Sequence, residues 1–257
     1  MLKIIFRMES TLVREFLQDS YKFACNSRIL SSIQAPEGSW KIKLDRTVFH
    51  PQGGGQPSDS GFITQGEIKF QVATLENDKE DENIWHVGKY LGETVFDNSG
   101  EVIAEIDENQ RRLFARLHSA GHLIDLAVHS LGYNLPPGKG FHFPRGAYVE
   151  YLALLPNEER DTAAPRINEV LEKLIAETEE GTSVRLYDYE EAKANFDIPS
   201  FFQPGKPIRI VKLCNADAGG PCGGTHVKHI REIGRAIVTK LQKKGKNLRV
   251  SYELADN

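Results

Sequence analysis

At 257 residues, with 40% hydrophobic and 26% charged residues, the chain has the composition of one large or two modest globular domains. A chain of this length buries a core large enough to need no disulfide or structural metal, so a metal site in it points to chemistry rather than stapling. A formal net charge of -4 and a pI near 6.1 exclude a global pull toward nucleic acid or an anionic membrane, and leave room only for a local basic face.

The three cysteines, Cys25, Cys214 and Cys222, are odd in number and widely spaced, which argues against a disulfide framework and for a reducing compartment. The first residues, MLKIIFRMESTLVREF, alternate apolar and charged side chains and do not read as a signal peptide. No run of eighteen apolar residues occurs, so no membrane span and a cytoplasmic location are expected.

Residues 1–105 read as β-rich. FACNSRILSSI, WKIKLDRTVF, GFITQGEIKFQVATLE and NIWHVGKYL are short, rich in Ile, Val, Phe and Thr, and separated by glycine, proline or acidic turns. The pattern suits a small antiparallel sheet or barrel, with the acidic stretch from Glu76 to Glu82 as a solvated hairpin loop. The period changes near Asp107. Leu113, Phe114, Leu117, Ala120, Gly121, Ile124, Ala127, Val128 and Leu131 recur every three or four residues, as on an amphipathic helix that Gly132 is placed to end. A domain boundary is expected just before it, giving a second, α+β domain over residues 106–257. There FHFPRGAYVEYLALL reads as paired strands, Thr162 to Glu179 as a second helix, VRLYDYE as a strand and EEAKANF as a short helix. PIRIVKL and EIGRAIVTKLQKKGKNLRVSYEL supply three more strands, the last two joined at KKGKN.

His118 and His122 lie four apart on the long helix, so their imidazoles emerge one turn apart on one face. Cys222 and His226 sit in AGGPCGGTHV, where glycines permit the sharp bend that brings residues four apart onto one ion. Taken singly, the first pair reads as ordinary helix histidines and the second as a buried thiol beside a turn. Together, one pair on a helix and one on a glycine-rich loop, they point to zinc, for which thiolate and imidazole are preferred ligands. About a hundred residues separate the two arms and three of the four ligands are histidines, a pattern closer to an active site than to a closed structural site. His226 is the natural candidate for a loosely held ligand. His129 and Asp125 extend the stripe of His118 and His122 along the helix; Asp125 can orient an imidazole or simply be exposed, while His142 and His229 read as incidental.

HSAGH (118–122) and PCGGTHV (221–227) resemble the paired HxxxH and CxxxH motifs of the alanyl-tRNA synthetase editing domain and of its freestanding relatives, the AlaX alanyl-tRNA editing proteins. RTVFHPQGGGQPSDSG (46–61) is similar to the glycine-rich segment of the β-rich domain that precedes the editing domain in that family. QDSYKFACNSRIL (18–30) and GKGFHFPRGAYVEY (138–151) fit in the same order. The resemblance implies an α+β fold with a small N-terminal β-barrel-like domain followed by an α+β zinc-containing editing domain. It implies a trans-editing hydrolase that cleaves the ester of serine or glycine from mischarged alanine tRNA. It further implies His118, His122, Cys222 and His226 as catalytic zinc positions, with Zn2+ as cofactor and tRNA as partner. Gly54, Gly55 and Gln56 match the glycine-rich segment and, with Thr225, are candidate substrate contacts; a tight loop is the plainer reading of the glycines.

Between Leu135 and Gly146 the chain lacks the Thr or Ser that family members often carry, so Thr225 is a candidate partner of a serine hydroxyl, with a turn-stabilising role as the equal alternative. Backbone N–H groups from Gly219 to Thr225 are candidate oxyanion donors. Arg111, Arg112 and Arg116, or Lys240, Lys243, Lys244, Lys246 and Arg249, are candidate phosphate contacts. No nucleotide cofactor and no aminoacylation are expected, and no feature bears on oligomeric state. Two rival readings stand beside this one: a threonyl-type aminoacyl-tRNA editing hydrolase, disfavoured by the PQGGGQPSDSG segment, and a non-catalytic zinc-stabilised RNA-binding module.

Overall fold

A computed structural model describes residues 12–255. Most of the alternating stretch at the N-terminus, residues 1–11, lies outside them. The chain is α+β and divides into two compact units, one of residues 1–51 with 58–108, the other of residues 52–57 with 109–257.

The first unit is built on a closed six-stranded barrel. Its strands run in the order Ala24–Gln34, Trp40–Leu44, Ile84–Tyr90, Ile68–Asn77, Gly61–Gln65 and Glu101–Ile106, and the last pairs back onto the first. Alternate residues fill the interior: Ile42, Leu44, Ile63, Phe70, Val72, Ile84, Val102 and Ala104 are all at most 1% exposed. Strand Glu101–Ile106 has no counterpart among the strands read from sequence. Val102, Ala104 and Ile106 point inward and the glutamates outward, but Ile103 also faces out, 48% exposed, and blurs the two-residue period. The acidic loop differs from expectation too. Glu76, Asp78 and Asp81 are ion-paired with Lys41 and Lys43 of the neighbouring strand, and Lys43 is held between Asp78 and Asp81 at 2.7 Å from each.

Buried in the barrel is His86, whose Nδ1 donates to the Ile42 carbonyl and whose Nε2 accepts from the Thr47 hydroxyl. Because Ile42 O can only accept, and Thr47 Oγ1 already accepts from Phe49 N–H, these contacts fit the neutral ring, and burial pushes its pKa down to about 4.

In the second unit, helix α1 (Glu108–Ser130) lays Leu117, Ala120, Leu123, Ile124, Ala127 and Val128 into the main core. Gly132, at φ +81°, ends it: the Tyr133 N–H reaches back to Val128 O and the Gly132 N–H to His129 O. Helix α2 (Asn157–Glu177) adds Ala163, Ile167 and Leu171. It starts five residues before the expected Thr162, directly after Pro156, with Glu158 and Glu159 favouring the positive end of the helix dipole. Both helices share this core with an antiparallel sheet of four strands, in the order Arg235–Lys244, Asn247–Ala255, Tyr148–Tyr151 and Pro137–Phe141. A smaller sheet, Ser183–Tyr187, Ile208–Lys212 and Gly220–Pro221, packs with α3 (Tyr189–Asn195) around Ala192, Ile208 and Ile210. Among the described residues no helix is long and apolar enough to cross a membrane.

Candidate metal centre

His118 and His122 face one way from α1 because they are four residues apart. Opposite them, the loop after Gly220–Pro221 brings in Cys222 and His226. One ligand atom from each of the four residues lies within 4.8 Å of all the others. Zinc bonds of about 2.0–2.3 Å at tetrahedral angles place donor atoms roughly 3.3–3.6 Å apart. Cys222 Sγ stands 3.5 Å from His118 Nε2 and 3.2 Å from His226 Nε2, two spacings that suit such an ion. Burial by itself pushes the Cys222 thiol up, but the facing imidazoles of His118, His226 and His122 bring it well below its ordinary value. Burial pushes His226 down to about 3. At His122 burial pushes the ring down, but the facing Cys222 brings it above its ordinary value, so a metal taking thiolate and neutral imidazole would displace a proton there.

His118 and His226 are each 2% exposed, whereas His122 and Cys222 are half-buried and form the open side. His226, the candidate loose ligand, thus lies on the buried side, and its Nδ1 meets Ser119 Oγ at 3.1 Å. Ser119 also accepts the Val227 N–H, tying helix to loop. It lies between the two histidines of HSAGH, where one serine on a helix carries no signal of its own in the sequence.

The glycine-rich segment was expected with the N-terminal domain; residues 52–57 instead pack with the second unit. Gly53 and Gln56 exchange backbone hydrogen bonds, and Gly54 and Gly55 between them sit at φ +55° and +79°, as a type I′ turn requires. The turn aims Gln56 at the metal centre. Its Oε1 accepts from His118 Nδ1 and from the Thr225 N–H, and its Nε2 donates to Thr225 Oγ1. Gln56 and Thr225 are both fully buried and bonded to each other, so these two candidate substrate contacts hold the site in place instead. Gly54 is exposed, and a Cβ there would stand 3.9 Å from the His118 ring. A Cβ on Gly55 would meet Gly140 O at 2.4 Å.

The backbone donors of the loop are largely taken as well. The N–H of Gly219 goes to Asp217, that of Cys222 to Arg209 O, that of Gly224 to Cys222 Sγ and that of Thr225 to Gln56. These groups fix the loop and its thiolate rather than waiting for an oxyanion. His142 is not incidental either. Its ring stacks on His118 at 4.5 Å and 18°, and its Nδ1 meets Tyr252 Oη at 2.6 Å. Tyr252 donates its hydrogen to Leu117 O, so His142 must donate from Nδ1.

The candidate RNA contacts separate. Arg111 is fully buried, and Arg116 gives both Nε and Nη2 to the Ile233 carbonyl. Lys240, Lys243, Lys244 and Lys246 are exposed around the last hairpin.

Residues 18–110 match the family described as tRNA synthetases class II (A), and residues 208–249 match the threonyl and alanyl tRNA synthetase second additional domain. The alanyl-tRNA editing protein AlaX-L of Pyrococcus horikoshii is 29% identical over 91% of this chain and 56% of its own length. AlaX-M of Methanosarcina barkeri is 28% identical over 84% of this chain and 89% of its own. An alanine–tRNA ligase of Leptospira interrogans is 32% identical over 84% of this chain, which spans 21% of that enzyme. The chain thus covers about half of AlaX-L and a fifth of the ligase. The likeness first carried by three short motifs extends along most of the sequence, which is related to the alanyl-tRNA editing proteins and to the matching part of alanine–tRNA ligases.

Proposed function

We propose that this chain is an aminoacyl-tRNA deacylase that hydrolyses the ester of serine or glycine wrongly joined to alanine tRNA, with zinc held by His118, His122, Cys222 and His226. The observation that carries the reading is the convergence of four donor atoms from α1 and the CGGTH loop, in a chain related to proteins named for alanyl-tRNA editing. Residues 1–105 and 106–257 are proposed as its barrel and editing domains, with the turn of residues 52–57 lent to the second. The unpaired state of all three cysteines is in keeping with a cytoplasmic setting.

His118, His122, Cys222 and His226 would hold the zinc ion, which would supply a Lewis acid for ester hydrolysis. The protein's own part is largely orientation. Gln56 and Ser119 fix the His118 and His226 rings, leaving each Nε2 directed at Cys222. His122 and Cys222 form the side from which an ester enters, and exposed Gly54 leaves room for the aminoacyl group next to His118. Gly55 keeps the turn against Gly140, where a side chain would part them.

The test is deacylation of seryl-, glycyl- and alanyl-charged alanine tRNA by zinc-loaded protein, with and without chelator. Loss of the first two esters, protection of the third and inhibition by chelator are expected; hydrolysis of none overturns the reading. Metal content of His118→Ala and Cys222→Ala checks the ligands separately, since full zinc occupancy in both variants excludes the site.

A further inference from the structure

On the outer face of the four-stranded sheet, three aromatic rings form one column. Phe143 stacks on Phe141 at 4.2 Å and 10°, and Phe141 on Tyr148 at 5.4 Å and 15°. Arg249 closes one end, with its guanidinium carbon 3.8 Å from the Tyr148 ring centre. The other end is Phe143, a half-buried ring on which no further ring or cation among the described residues stacks. Strand alternation explains the side: Val149, Leu248 and Val250 point into the core, so Tyr148 and Arg249 point away from it. These aromatic rings do not belong to the hydrophobic core.

The charge around the column is mostly positive. Lys240 pairs across from Ser251, which itself pairs with Tyr148, and Lys244 lies further along the same strand. Lys139 is close enough to Glu150 to help lower its carboxyl. Arg145 is exposed two residues beyond Phe143. Glu150 is buried and committed to Arg249 and Asn247, which leaves Glu253 as the exposed carboxylate of strand Asn247–Ala255. Flat rings on an antiparallel sheet ringed by lysine and arginine suit unpaired bases joined by phosphates. One residue links the column to the metal centre through the chain: His142, between Phe141 and Phe143, points to the opposite face and stacks on His118.

We propose that the Phe143–Phe141–Tyr148 column is a stacking platform for the unpaired nucleotides next to the aminoacylated 3′ end of the RNA. The inference rests on the deacylase reading for its choice of RNA. The face of Phe143 turned away from Phe141 takes a base, Arg249 holds the far end of the column rigid, and the lysines meet the phosphates.

Binding of a labelled four-nucleotide single-stranded RNA with a free 3′ end, by full-length zinc-loaded protein, tests the platform without any hydrolysis. Phe143→Leu should weaken binding by about tenfold or more with the thermal midpoint retained, and Phe143→Trp should bind as tightly as the wild type or more tightly. The proposal is overturned if the wild type does not bind the oligonucleotide, or if Phe143→Leu binds it equally well. It is overturned also if Phe143→Leu abolishes only self-association of the protein. Should Phe143→Leu fail to fold, the Phe143→Trp comparison and a Lys240→Gln variant decide, and full binding by Lys240→Gln together with weak binding by Phe143→Trp counts against it. Oligonucleotide binding that depends on Phe143, in a protein that hydrolyses no aminoacyl ester, supports the platform and sinks the deacylase reading.

Discussion

Gln56 Oε1 and His118 Nδ1 are 2.9 Å apart inside the fold, although 62 residues separate them in sequence. The same oxygen takes the Thr225 N–H, which can only donate, so the amide orientation is settled and His118 must carry its proton on Nδ1. That leaves the Nε2 lone pair for a metal. Gln56→Leu should weaken metal binding about 10- to 100-fold, as loss of such supporting hydrogen bonds generally does. It should also destabilise the protein by about 1–3 kcal/mol for each buried donor left unpaired. Competition with a chromophoric chelator and urea unfolding measure the two effects. Unchanged affinity in Gln56→Leu would show that the glutamine does not orient the ligand.

The two central glycines of CGGTH make opposite predictions. A Cβ on Gly224 would lie 2.1 Å from His118 Cε1 and 2.2 Å from Nδ1, whereas one on Gly223 would meet nothing within 4 Å. Neither residue sits at a positive φ, so the contrast lies in what a Cβ would meet. Gly224→Ala should therefore displace the His118 ring and cost metal affinity at least about tenfold, by the same loss of ligand orientation. Gly223→Ala should bind metal as the wild type does. Equal affinity in the two variants would mean that the loop does not pack on His118 as described.

Much of the architecture was legible because it rests on local periodicity: the barrel strands, α1 and its Gly132 stop, and the final hairpin all follow from apolar spacing and turn residues. The four ligand candidates were legible because residue type and spacing carry their chemistry. The misses arose where an outcome depends on partners distant in sequence. Ile103 obscured a strand by facing outward, and Lys41 and Lys43 neutralise an acidic loop from another strand. Arg111 and Arg116 carry charge in a promising place, yet one is buried and the other caps a carbonyl 117 residues away. Gln56 and Thr225 have the polar groups of substrate contacts, and only the fold shows them bonded to each other. His142 reads as an isolated histidine until Gly121 and Gly140, which lack the Cβ atoms that would strike it, bring its ring against His118.

The same distinction among arginines and lysines bears on RNA affinity. Lys243→Gln and Lys244→Gln should each lower affinity for tRNA and reduce the dependence of log K on log salt by about one. Arg116→Gln should leave that slope unaltered and act through stability, because its guanidinium serves Ile233 O. Binding isotherms between low and moderate salt separate the outcomes. A slope change confined to Arg116→Gln would place the RNA on α1 rather than on the hairpin.

His86 should set the acid sensitivity of the barrel. Its ring is fully buried, and its pKa falls from 6.5 to about 4 because burial disfavours the charged form. A base whose pKa is lower folded than unfolded binds its proton more readily in the unfolded chain, so acid favours unfolding. Its contribution is complete above about pH 6.5 and is lost progressively as the pH falls toward 4. The shift corresponds to about 3 kcal/mol. Both tryptophans, Trp40 and Trp85, lie in barrel strands, so their fluorescence follows this unit in urea. Between pH 6.5 and 5 the wild type should lose stability steadily. His86→Gln, with no ring to protonate, should start less stable and stay nearly flat over that interval. Parallel slopes in the two proteins would assign the acid sensitivity to other groups.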